Sequence, residues 1–179
     1  MELPKKELFS FSKQLAIGKN GEDKFHTKYP KLKRLDGFKG EFILNGNPRD
    51  RKIELKTDSY CITEGPCNCG CRYTENCFIE LAMEYNSGTV PSGIHQAVEH
   101  DCELFVYYFI HNNFDIWFRS TDLRDFAVEW EKTHNTLEIP NRDDQDHSRR
   151  YSAHGVLIPR LLLMQKVAIK YPGWKKDAG

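Results

Sequence analysis

The chain predicts an α/β domain on three observations. Residues 10–29 repeat apolar side chains at helical spacing, residues 38–57 form two strand-like runs about a turn, and residues 104–110 are a continuous apolar and aromatic stretch. Helix-type and strand-type segments then alternate, the pattern of a mixed sheet with helices on both faces. A length of 179 residues suits a single domain spanning 1–179, with a core of its own.

The first helix rests on Phe11, Leu15, Gly18, Glu22, Phe25 and Tyr29, which recur every three or four positions and share one face. Ser10 or Ser12 can cap its start, and Tyr29-Pro30 ends it. Glu22 occupies a position of the stripe where an apolar residue is expected, and a charge on a buried face needs a partner or a metal. Residues 38–44 and 51–57 are joined by Asn45-Gly46-Asn47-Pro48-Arg49-Asp50, which is turn chemistry, so they predict an antiparallel hairpin. Residues 78–85 alternate, with Ile79, Leu81, Met83 and Tyr85 on one face and Glu80 and Glu84 on the other.

Residues 91–100 predict a short helix opened by Ser92, and 104–110 a central strand covered on both faces. His111-Asn112-Asn113 turns that strand into 114–118. Ser120 is expected to cap a helix running to Lys132, with Leu123, Phe126, Ala127 and Trp130 inward. Residues 133–153 are polar and are expected to form a long mobile loop. A last strand at 155–158 and a last helix at 160–170 complete the chain.

Lys+Arg (26) equals Asp+Glu (26), so no global basic field exists, and a nucleic acid would be held by local patches. Lys24, Lys28, Lys31, Lys33 and Arg34 form one such patch, Arg149 and Arg150 a second, and Lys166, Lys170, Lys175 and Lys176 a third. The N-terminus lacks a signal-peptide pattern and no apolar run approaches the roughly 18 residues of a membrane span, so an intracellular protein with reduced thiols is expected. Five of the six cysteines nevertheless cluster as Cys61-x5-Cys67-x-Cys69-x-Cys71-x5-Cys77, in what reads as an insertion at about 59–77. Four of these five thiolates can furnish a tetrahedral structural Zn²⁺ site; free or oxidised thiols and an iron–sulfur cluster are the alternatives.

The most informative run is Arg51-Lys52-Ile53-Glu54-Leu55-Lys56-Thr57-Asp58. On a strand Glu54 and Lys56 share one face, with Ile53 and Leu55 on the other. A divalent-metal hydrolase needs such a pair, a carboxylate to hold the cation and a lysine to position water. Alone, Glu-x-Lys is a common surface pair. Here it follows a helix carrying an out-of-place glutamate, within a hairpin.

Gly18-Lys19-Asn20-Gly21-Glu22-Asp23-Lys24-Phe25, Ile53-Glu54-Leu55-Lys56-Thr57-Asp58, Phe78-Ile79-Glu80, Pro91-Ser92-Gly93-Ile94 and Leu104-Phe105-Val106-Tyr107-Tyr108-Phe109 together resemble the PD-(D/E)xK nuclease superfamily. The likeness is to its phage-type, homing-endonuclease-like and junction-resolvase-like members, and covers roughly residues 12–125. It implies a restriction-endonuclease-like mixed β-sheet flanked by α-helices, here with the Cys-rich insertion. It also implies a Mg²⁺- or Mn²⁺-dependent endodeoxyribonuclease that uses no organic cofactor, acts on DNA as a dimer and works in the cytoplasm of a bacterial or phage-infected cell. Glu22, Glu41, Glu54 and Lys56 are the catalytic candidates, with Glu41 and Glu54 on the metal.

The family carries an Asp on the first hairpin strand, and two residues compete for that place. Glu41 lies 13 residues before Glu54, and a turn centred on Asn47-Pro48 sets the two opposite one another on one face. Asp36 is the family's residue type, but a turn centred to suit it places Pro48 in a paired strand, which is disfavoured. The likeness gives Glu80 a third-strand metal or supporting role, and His95 and Gln96 can face the same cleft. Two further readings stand beside the nuclease: a catalytically inactive nucleic-acid-binding module of the same fold, and a zinc-stabilised protein-interaction domain.

Overall fold

The computed structural model describes residues 9–35, 41–45, 50–63, 71–142 and 150–170. In chain order the elements are β1 (Phe9–Ser10), α1 (Phe11–Lys28), β2 (Lys33–Arg34), β3 (Glu41–Leu44), β4 (Arg51–Asp58), β5 (Asn76–Tyr85), β6 (Gly88–Pro91), α2 (Ile94–Glu99), β7 (Leu104–Phe109), β8 (Phe114–Arg119), α3 (Ser120–Glu131), β9 (Thr136–Arg142), β10 (Arg150–Pro159) and α4 (Arg160–Lys166). The molecule is mixed α/β, as expected, but its strands form two five-stranded sheets rather than one. Their orders are β1-β9-β10-β5-β6 and β2-β3-β4-β7-β8.

The second sheet carries the candidate chemistry. β3 and β4 are the expected antiparallel hairpin pair, β4 runs parallel to β7, and β7 pairs antiparallel with β8. All six residues of β7 are buried, because side chains pack on both of its faces. Ile53 and Leu55 of β4, with Leu104, Val106 and Tyr108 of β7, face α1 and meet Phe25 and Leu32. Phe105, Tyr107 and Phe109 face the other way, into a cluster built from β5, β10 and α2–α4 through Cys77, Ile79, Ile94, Leu123, Val156 and Leu163. Alternation along β4 therefore hands Glu54, Lys56 and Asp58 to this second face.

Helix α1 keeps Phe25 and Tyr29 of the expected stripe, but its earlier turns pack one position away, through Ile17 and Gly21. Ile17, Phe25 and Tyr29 join the core, whereas Leu15 is 41% exposed. Gly21 is buried against Thr57, so the seam runs Ile17-Gly21-Phe25 and leaves Glu22 half-buried at its flank. The smallest residue on the helix permits this choice, since it brings the helix axis closest to the strand. An acid group locks the far end of α1: Asp115 of β8 accepts from Lys28 Nζ, from Tyr29 Oη (2.9 Å) and from Trp117 Nε1.

Residues 133–153 are not a loop throughout: 136–142 and 150–159 are strands, paired antiparallel from Arg150↔Arg142 to Val156↔Thr136. Residues Thr136 to Glu138 are exposed, so the sequence there lacks the apolar alternation that marks a half-buried strand; the ladder to β10 supplies the order instead. Residues 143–149, with Arg149, lie outside the described residues. The final helix stops at Lys166, and Ile169 instead bridges to Trp117 of β8. The short β1 and β2 add edge strands too brief to carry a pattern. No described helix is long and apolar enough to cross a membrane.

Between β4 and β5, residues 61 and 73 form a parallel bridge, with Cys61 N donating to Arg72 O and Thr74 N to Cys61 O. The segment at about 59–77 is thus drawn closed at its base. Cys67 and Cys69 lie outside the described residues.

Candidate active site

Glu41 is the Cα partner of Glu54 in the β3–β4 ladder, the register expected from a turn centred on Asn47-Pro48. Asp36, its competitor, lies outside the described residues. Across the parallel ladder Glu54 neighbours Phe105 and Lys56 neighbours Tyr107. Both neighbours belong to the large apolar cluster, so the two charges are set at the margin of a core face and need polar partners there.

Lys56 finds one in Glu80 of β5: its Nζ lies 3.9 Å from Glu80 Oε2. The Glu80 side chain is only 14% exposed. The other carboxylate oxygen, Oε1, accepts a hydrogen bond from the Ser92 hydroxyl. Ser92 is 4% exposed. It does not cap α2: Gly93 holds the cap position and no side chain caps the helix. Lys56, Glu80 and Ser92 thus form a chain running from the end of β4 through β5 to the start of α2.

Glu22 lies half-buried on α1. Its neighbour Gly21 contacts Thr57, which alternates with Lys56, so α1 covers the face of β4 that Glu54 and Lys56 do not use. His95 is half-buried and Gln96 exposed on α2, and no described bond ties either to Lys56 or Glu80. Among the described residues no three His, Cys, Asp or Glu side chains converge into a metal-holding group.

Below Lys56 the strand ends in a buried polar network. Tyr107 Oη donates to Asp58 Oδ2 (2.6 Å) and accepts from Phe78 N (3.1 Å), while Tyr60 N donates to Asp58 Oδ1 (2.7 Å). Burial, then the adjacent Asp58 carboxylate, pushes the Tyr107 hydroxyl well above the ordinary tyrosine range, so it stays protonated as the donor. This network fixes where β4 ends against β5 and β7. The sequence offered Tyr107 only as a core aromatic, and Asp58 only as the tail of a charged run.

Of the described cysteines, Cys61, Cys77 and Cys102 are buried thiols in no disulfide, and Cys71 is disulfide-bonded. Cys77 sits in the apolar cluster on β5 beside Ile79, not in the insertion. Burial foremost, then Asp58, raises its thiol far above the ordinary value despite the opposing charge of Arg160. A groove of about 570 Å³ lies at the start of β4, between Arg51, Lys52, Asp101 and Glu103. It is about 13 Å along the strand from Lys56, at roughly 3.3 Å per residue, and does not contain the Lys56–Glu80 pair.

No protein-family model, curated protein or solved structure matches this chain.

Proposed function

We propose that this chain is a divalent-metal-dependent endonuclease that hydrolyses DNA phosphodiesters at the end of β4. The observation that carries the reading is the pairing of Glu41 with Glu54 directly across an antiparallel ladder, with Lys56 two residues on. Residues directly opposite on paired strands project to the same face. Two carboxylates there would make a cation site, since carboxylate oxygens are the donors that Mg²⁺ or Mn²⁺ prefers. Glu41 and Glu54 would hold the ion. When bound, it would supply charge neutralisation at the phosphate and a lowered pKa for a coordinated water.

The chain's own residues do the rest. Lys56 sits beside Glu54 on the same strand face and orients water toward phosphorus through its ammonium. Glu80 holds that ammonium from β5. The large apolar cluster behind Phe105 and Tyr107 excludes water from one side of the pair, which strengthens its electrostatics. Glu22, half-buried on α1 beside the Gly21–Thr57 contact, stays a further catalytic candidate. With no net charge, DNA would be held by the exposed lysines of α1, its following turn and β2 (Lys19, Lys24, Lys31 and Lys33), and a dimer would present two sites to a duplex.

The test is nicking of supercoiled plasmid with Mg²⁺ or Mn²⁺. Cleavage that EDTA abolishes, and that Lys56→Ala and Glu54→Gln each reduce by at least about 100-fold, is the expected result. DNA that is bound but never cut would assign the chain to the inactive binding-module reading. Neither binding nor cutting would leave the interaction-domain reading.

A further inference from the structure

We propose that Ser92 is a positioning residue: it fixes the Glu80 carboxylate, and through Glu80 the Lys56 ammonium. The inference rests on the nuclease reading for its consequence but on separate geometry for its existence. A serine just before a short helix is expected to spend its hydroxyl on the helix end. Here the hydroxyl points at Glu80 Oε1 instead, from a site that is 4% exposed. The bond takes one carboxylate oxygen and leaves the other, Oε2, to Lys56 at 3.9 Å.

Two further contacts hold the serine still. Its amide donates to Leu81 O at 3.1 Å, clipping the corner to β5 one residue beyond Glu80. Gly93 adopts φ +54°, and a Cβ there would stand 2.5 Å from Glu80 O and 2.8 Å from Glu80 Cβ. Only glycine allows the corner to lie so close to the Glu80 backbone. The backbone and the hydroxyl of one dipeptide thus set both the place and the rotamer of Glu80. Lys56 has a long stem that samples many rotamers when unpartnered, so a fixed carboxylate narrows where its charge resides.

Two arms test this. In plasmid cleavage, Ser92→Ala is expected to lower kcat about tenfold with KM for DNA unchanged. Glu80→Gln keeps an acceptor for Ser92 but removes the charge that faces Lys56. If Ser92 acts through that charge, adding Ser92→Ala to Glu80→Gln costs nothing more. Losses that multiply in the double variant, or a Ser92→Ala enzyme with wild-type kcat, overturn the proposal.

The second arm needs no activity. Acetylation of Lys56 by acetic anhydride is followed by peptide mass spectrometry and normalised to the exposed Lys132. It is expected to be severalfold faster in both Ser92→Ala and Glu80→Gln than in wild type; equal rates overturn the clamp. Protection of Lys56 without DNA cleavage keeps the clamp and sinks the nuclease reading. Cleavage with unchanged Lys56 reactivity does the reverse. Should Ser92→Ala melt below the assay temperature, Ser92→Cys, with similar volume and a weaker donor, replaces it in both arms.

Discussion

Replacing Gly21 with alanine should destabilise the protein, against the usual rule for helices. In a helix interior Gly→Ala is favourable by about 1 kcal/mol. At this position the new Cβ would lie 2.3 Å from both Thr57 Cγ2 and Thr57 Oγ1, and 2.8 Å from Thr57 Cβ. Ordinary carbon contacts begin near 3.5 Å, so α1 would have to retreat from β4 by roughly 1 Å. Rotating Thr57 gives no escape, because its Cβ is itself too close. Overpacking of this kind costs about 1–3 kcal/mol, and contact with a β-branched, strand-fixed partner argues for the upper end. The net expectation is a loss of about 2 kcal/mol. For a chain of this length that is a fall in Tm of roughly 4–8 °C, read by circular dichroism. The decisive assay is the cycle with Thr57→Gly, which removes all three clashing atoms. In that background Gly21→Ala should become stabilising, giving a coupling near 3 kcal/mol. A Gly21→Ala protein as stable as wild type, or a coupling within about 0.5 kcal/mol of zero, would refute the packing described for α1.

Further predictions concern the acid groups and the cysteines. Asp115→Ala should cost about 3 kcal/mol in urea denaturation, because it removes the shared acceptor of the Lys28 ammonium, the Tyr29 hydroxyl and the Trp117 indole at a site where Asp115 is 8% exposed. Tyr107 binds its proton more tightly in the folded chain than in the unfolded one, so its contribution is complete below about pH 10 and is lost as pH rises above that value. Melts from pH 8 to 11 should show that decline together with the one from the buried Cys77 thiol, and Tyr107→Phe should lessen it while costing about 1–3 kcal/mol at pH 7, since Asp58 Oδ2 and Phe78 N lose the Tyr107 hydroxyl. If the cysteine segment holds zinc under reducing conditions, Cys77 is the one of five left out, since it is wholly buried on β5 in the apolar cluster. Elemental analysis should then give one zinc per chain in wild type and in Cys77→Ser, and less in Cys71→Ser; no zinc in the reduced wild type rejects the site.

The hairpin was the most legible part of the chain. Turn residues from Asn45 to Asp50 and the apolar–polar alternation of 51–57 suffice to set a register, and that register places Glu41 against Glu54. The central strand was equally plain, because six consecutive buried side chains leave no other reading of 104–109. Side-chain assignments that depend on a partner far along the chain were not legible. The seam of α1 shifted because Gly21 can approach Thr57 more closely than Gly18 approaches anything, and spacing rules do not rank two glycines. Strand β9 and the first half of β10 escaped, although 155–158 was read as a strand, because residues 136–138 face solvent and the partner strand lies several residues further along the chain.

Glu80 and Ser92 illustrate the same limit at the candidate site. In sequence Glu80 is an alternate position on a half-buried strand, and Ser92 is a helix cap. Each reading is locally sound, and each is displaced by a contact that local patterns do not encode. Once Gly93 lets the corner touch β5, the Ser92 hydroxyl lies nearer a carboxylate than a free helix amide, and a charge-assisted bond outcompetes a cap. The carboxylate, anchored at one oxygen, then has a single direction left for the other, and Lys56 stands in it. A lysine on the core side of a strand would ordinarily be a defect to be covered. Here a buried serine, a left-handed glycine and a shielded glutamate are all arranged about one ammonium, so that at the end of β4 charge is held against the hydrophobic pattern rather than by it.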